Sequence, residues 1–108
     1  MEAAVDQRVQ TLKAQLAITP QQEALWDAFA QKMRDNAMAT DRLAQQRAGA
    51  LASMNAVDNM RSYARIAHAY AADADRLTTA FAGLYASLSP AQKQAADTIF
   101  RQQPAAPQ

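Results

Sequence analysis

The side chains best equipped for chemistry in this 108-residue chain are basic or sulfur-bearing, and they recur at helical spacing. Arg34, Met38 and Arg42 stand four residues apart, which places them on one face of a helix. Arg61, Arg65 and His68 share a face in the same way, at steps of four and three, beside the line Met60, Tyr63, Ala67. Arg47 and Met54 extend the set. Guanidinium groups draw acidic or partly unfolded polypeptide at long range. Thioethers are flexible and polarizable, and they fit many apolar shapes. The chemistry on offer is capture and release of another chain rather than bond making. Each residue also has a plainer use. Met33, Met38, Met54 and Met60 suit core filling, and a basic stripe suits a solvated face. Met38 and Met54 are the better candidates for exposure, one lying off the Trp26–Phe29–Met33 stripe and the other near a turn.

Bond-breaking chemistry has no residues to carry it. There is no Gly-rich phosphate loop, no GxSxG, no supported Ser/His/Asp set and no carboxylate pair in an apolar stretch. An Asp-rich cation loop is absent as well. The expectation is a non-enzyme with no cofactor. His68 is the single histidine, and the positions three and four beyond it are Ala71 and Ala72, so no metal is expected. Buried or pH-responsive packing is the reading for His68. Zero cysteine excludes thiolate sites and disulfides. A net charge of +1, with no basic run interleaved with aromatics, argues against nucleic acid. No apolar run approaches the roughly 18 residues of a membrane span. No signal-peptide pattern is visible, and Met1-Glu2-Ala3-Ala4 is compatible with a mature start behind an added initiator.

The elements that must position these residues are helices. Roughly a quarter of the chain is Ala, the best helix former, and its four Pro all fall at segment boundaries. Two phrases frame the middle: Ile18-Thr19-Pro20-Gln21-Gln22 and Leu88-Ser89-Pro90-Ala91-Gln92. Thr or Ser followed three residues later by Gln is a capping box, and Pro at the first helical position suits a helix start. The structural motif is thus Thr19, Pro20 and Gln22, then Ser89, Pro90 and Gln92. The echo continues, with Asp27 and Phe29 answered by Asp97 and Ile99.

Segment one, Glu2 to about Ala17, carries Val5, Val9, Leu12 and Leu16 on one stripe. Segment two runs from Pro20 to about Ser53. Its apolar stripe of Trp26, Phe29 and Met33 resumes at Leu43, Ala50 and Met54, with Asn36, Thr40 and Arg47 between. Trp26 and Phe29 read as anchors onto segment one or four. Segment three, about Val57–Ser87, repeats Met60, Tyr63, Ala67, Tyr70, Ala74, Leu77, Phe81, Leu84 and Leu88 as a heptad seam. Segment four runs from Pro90 to near Gln103. The boundary near Asn55 is open: Asn55 either ends one helix or starts the next, and one unbroken helix from Pro20 to Ser87 is the rival. Residues 1–103 read as one all-α domain of short, long, long and short helices, and 104–108 as a disordered Pro-rich tail. The long pair forms an antiparallel hairpin. Large apolar residues are few for a chain this small, so dimerisation is expected to add burial.

The paired phrase, in this order of helices, resembles the LTxxQ-motif family of bacterial envelope proteins, the group containing Spy and CpxP. Ile replaces Leu in the first copy, and Ser replaces Thr in the second. The resemblance implies a periplasmic location and a cradle-shaped antiparallel homodimer of helical hairpins. Spy-like members are ATP-independent chaperones that hold unfolded or partly folded clients on a concave surface. The client-binding candidates here are then Arg34, Met38, Arg42, Arg47, Met54, Met60, Arg61 and Arg65. CpxP-like members also restrain a sensor kinase, which makes such a kinase the alternative partner. Some metal-responsive relatives bind zinc or other ions through several His residues, and this chain has one. The motifs themselves read as local caps, so Thr19→Ala and Ser89→Ala are each expected to cost about 1 kcal/mol.

Overall fold

The computed structural model describes residues 2–102 of the chain. The stretch 104–108, expected to be a disordered tail, lies outside the described residues. Helix α1 spans Glu2–Leu16, α2 Glu23–Ala50, α3 Ala56–Ala86 and α4 Pro90–Gln102. A 3-10 turn at Pro20–Gln22 leads into α2, and another at Leu51–Ser53 leads out of it. The fold is all-α, in the short, long, long, short order that the sequence implies. Asn36 meets Asp73 and Arg47 meets Asn59, so α2 and α3 run antiparallel as a hairpin.

Each break has a local cause. Thr19 is extended (φ −88°, ψ 162°), as the residue before Pro must be. Ala17 holds φ 53°, and the Ile18 N–H reaches back to the Lys13 carbonyl while the Ala17 N–H reaches Ala14. That is a Schellman ending built on Ala, where Gly is usual. At the tip, Met54 and Asn55 are extended, and the Asn55 side chain accepts from the Asp58 N–H at 2.8 Å. Asn55 therefore starts α3, and the unbroken helix does not form.

The core gathers at the end of the hairpin opposite the tip. Val9, Leu12 and Leu16 of α1 are buried with Trp26, Phe29 and Ala30 of α2, Leu84 and Leu88, and Ala96 of α4. Ring contacts thread it: Trp26–Phe29 at 5.6 Å between centroids, Phe29–Phe81 at 5.1 Å, Phe81–Phe100 at 4.9 Å. Trp26 and Phe29 anchor α2 as their spacing suggests. Lys13–Glu23 and Arg34–Asp6 ion pairs flank the α1/α2 contact.

The heptad seam of α3 needs correction. It holds from Leu77 to Leu88, but in the distal half the residues facing α2 are Asn59, Ser62, Ile66 and Asp73. Met60 and Tyr63 stand 73% and 66% exposed. The cause lies on α2. Its facing stripe there carries Asn36 and Arg47, and buried polar groups must find partners. Asn36 Nδ2 donates to the Asp73 carbonyl at 3.1 Å, and Arg47 Nη2 to Asn59 Oδ1 at 2.6 Å. A helix turns about 100° per residue. Bringing Asn59 and Ser62 inward therefore swings Met60 and Tyr63 to the flank.

The left-handed cap yields a stability test. Ala17→Gly removes a Cβ clash and is expected to stabilise the chain by about 1 kcal/mol. A rise in the urea midpoint at unchanged slope would confirm it, and no rise would mean that Ala17 is relaxed there.

Candidate functional site

Two helix ends and two helix starts converge at the base, and the two motif glutamines occupy the meeting point. Gln22 is buried. Its Nε2 donates to the Ser87 carbonyl (2.9 Å) and to Gln92 Oε1 (2.8 Å), and its Oε1 accepts from the Thr19 N–H at 3.0 Å. Gln92 mirrors it. Its Nε2 donates to Gln22 Oε1 at 2.9 Å and reaches the carbonyls of Leu16 and Ala17 at 3.1 and 3.0 Å. Its Oε1 accepts from the Ser89 N–H at 2.8 Å. Each glutamine thus caps its own helix start, ties off the helix before the other motif, and pairs with its counterpart. A primary amide has two N–H donors and one carbonyl with two lone pairs; Gln22 uses each once, and Gln92 serves three acceptors by sharing one N–H between the adjacent Leu16 and Ala17 carbonyls. Turned over, each would aim an NH2 at a backbone N–H, so the network fixes both orientations.

The hydroxyl partners are unequal. The Gln92 N–H donates to Ser89 Oγ at 3.1 Å, a complete capping box. The Gln22 N–H goes to the Thr19 carbonyl at 2.9 Å within the 3-10 turn, which leaves the Thr19 hydroxyl the weaker partner.

The candidate binding residues divide by place. Met38, Arg42, Met60, Arg61 and Arg65 are exposed. Met54 is half-buried just after the 3-10 turn at the tip. Arg34 is committed to Asp6 of α1 through its Nε at 2.8 Å. Arg47 lies inside the hairpin on Asn59, with Nη1 enclosed and without a hydrogen-bond partner among the described residues. Both arginines, expected on a binding face, are engaged within the chain: Arg34 by α1 and Arg47 by α3. His68, expected in a packed setting, is exposed.

Apolar and cationic residues also part company on α3. Helix α4 covers Phe81 and Tyr85, through the Phe81–Phe100 rings and a Tyr85 hydroxyl hydrogen bond to Asp97 Oδ1 at 3.0 Å. Beyond α4 the same flank continues towards the tip through Ala74, Ala67, Tyr63 and Met60, all exposed, with Tyr70 half-buried among them. One position further along a helix is a quarter turn or more away. Arg61, Arg65 and His68 therefore face the other side of α3. Among the described residues no group of three or more His, Cys, Asp or Glu is placed to hold a metal ion, and no helix is long and apolar enough to cross a membrane. A small open cleft of about 190 Å³ lies between α1 and α2, lined by Val5, Asp6, Arg34, Ala37 and Met38.

The family model described as LTXXQ motif family protein matches residues 4–100. The chain belongs to the LTXXQ motif family. No curated protein and no solved structure matches it. In this LTXXQ chain the motif does more than the local capping its sequence announces. The cross-pairing of Gln22 and Gln92 is invisible to a local reading, because a capping box already explains each glutamine. The one available signal was the repetition itself. Tyr85 is a second residue that spacing did not single out. The hydrogen bond to Asp97, some desolvation and the Asp97 charge together push its phenol above the usual tyrosine range.

Two outcomes follow for the base. Ser89→Ala is expected to cost about 1 kcal/mol and Thr19→Ala measurably less, by chemical denaturation. Equal costs would contradict the asymmetry. The raised Tyr85 pKa means that stability from this contact is complete below the ordinary tyrosine value and is lost as pH rises through the raised one. Ultraviolet titration of the phenolate should place Tyr85 above ordinary tyrosine, and Asp97→Asn should bring it down. An unchanged midpoint in Asp97→Asn would remove Asp97 as the cause.

Proposed function

We propose that this LTXXQ family member is an ATP-independent periplasmic chaperone of the Spy type, working as a homodimer that holds unfolded or partly folded clients. It is read as a binding protein, with no catalytic residue, metal or cofactor assigned. One observation carries the reading: the flank of the hairpin that α1 and α4 cover at the base runs on uncovered to the tip. Met60 and Tyr63 stand 73% and 66% exposed along it. Contiguous exposed apolar surface marks an interaction site. An uncovered apolar flank supports pairing with a second copy, and the part left open by pairing is the proposed holding surface.

The cations supply capture. Arg42, Arg61 and Arg65 are exposed, and Arg61 and Arg65 face away from the Met60–Tyr63 flank. A helix is about 10 Å across, close to the Debye length of about 8 Å at physiological salt. Their field therefore reaches a client near α3 from either side, weakened but not abolished. Attraction at range and a thin apolar grip give weak, fast binding. A client that buries its own apolar surface then leaves.

At a few-fold molar excess the chain is expected to suppress aggregation of several unrelated destabilised proteins. Met60→Ser/Tyr63→Ser should lose several-fold in protection with helicity unchanged by circular dichroism. Arg61→Glu/Arg65→Glu should mainly slow association and flatten its salt dependence. No suppression by the unaltered chain would overturn the proposal. Protection of one partner alone would favour the regulatory role at a sensor kinase.

A further inference from the structure

The hairpin changes character along its length. From the base to Met33 and Leu77, α2 and α3 meet through large apolar side chains and rings. Beyond that level α2 presents Asn36, Thr40, Leu43 and Arg47, all half-buried, to Asn59, Ser62, Ile66 and Asp73. Leu43 and Ile66 are the large aliphatic members of that seam.

The polar links there are sparse. Asn36 reaches the Asp73 carbonyl, and Arg47 reaches Asn59. The Asp73 carboxylate, although buried, pairs with Arg76 on its own helix and so adds no link across the hairpin. Arg47 buries Nη1 without a partner among the described residues, which offsets part of what its bond to Asn59 contributes. Helix α1 overlaps only the first part of this half, where Val5 and Asp6 lie beside Ala37 and Met38, and the last ring of α4, Phe100, meets α3 at Phe81.

We infer that the distal half of the hairpin, about residues 37–73, opens reversibly as a unit while the base stays closed. Once parted, each arm is an isolated helix on the order of 15 residues, a length at which helices are marginal in water. The arms therefore fray, and their amides exchange with solvent. The base cannot follow, because the glutamine pair and the ring cluster tie all four helices there. Opening widens and reshapes the flank that bears Met60 and Tyr63. The inference concerns folding alone and stands whether or not the chain holds clients.

Native-state hydrogen exchange by NMR tests it on the intact chain. After correction for intrinsic rates, amides of Thr40–Arg47 and Ser62–Tyr70 should exchange at least tenfold faster than those of Trp26–Ala30 and Leu84–Ala86. Tenfold corresponds to about 1.4 kcal/mol. The double variant Arg47→Met/Asn59→Leu turns the weaker link into an apolar contact. It should slow distal exchange about tenfold and leave the base unchanged. Asn36→Leu asks the same question at Asp73 should that double variant fold poorly. A single exchange free energy for both halves of the unaltered chain would overturn the inference, as would distal rates that neither variant changes.

Discussion

Everything at the base rests on satisfying the backbone groups that helices leave open. A helix end exposes carbonyls and a helix start exposes N–H groups, and here two of each are brought to one place. Two side-chain amides close five of these groups and each other: Gln22 takes the Thr19 N–H and the Ser87 carbonyl, and Gln92 takes the Ser89 N–H and the carbonyls of Leu16 and Ala17. Because the amides are saturated, neither can move without breaking hydrogen bonds in both turns. The positions of α1 on α2 and of α4 on α3 follow from this junction. So does the register that sets Phe29, Phe81 and Phe100 ring to ring.

Away from the junction a different constraint takes over. The polar residues in the stripe of α2 choose which side of α3 turns inward. Pairing Asn36 and Arg47 brings a line of small and polar residues to the seam and turns the Met60–Tyr63 line out. The price of that choice is a weakly held distal half with an apolar flank, in a family whose proposed work is transient holding. A fully apolar seam would have closed the hairpin tightly and hidden the surface.

Much of the fold was legible because its signals are local. Thr19-Pro20 and Ser89-Pro90 open helices where their chemistry says they must, and Trp26 and Phe29 sit in the core. Asn55 was legible as a cap but not in its direction, which depends on Asp58 lying within its reach. The left-handed Ala17 was not legible, since Ala carries no preference for that conformation. The candidate surface was half legible. Exposure of Met38 follows from its place off the buried stripe. Arg34 and Arg47 looked free because their partners, Asp6 and Asn59, lie 28 and 12 residues away. The α3 stripe was legible as apolar but not as uncovered, because hydrophobic spacing says nothing about which polar residues on the neighbouring helix demand partners.

The measurement that bears most directly on the junction is a double-mutant cycle between Gln22→Ala and Gln92→Ala, read by urea denaturation. The two amides share bonds, so the double variant should cost less than the sum of the singles by more than about 1 kcal/mol. Costs that simply add, within about 0.5 kcal/mol, would show two independent caps and contradict the reciprocal pair on which the base is built.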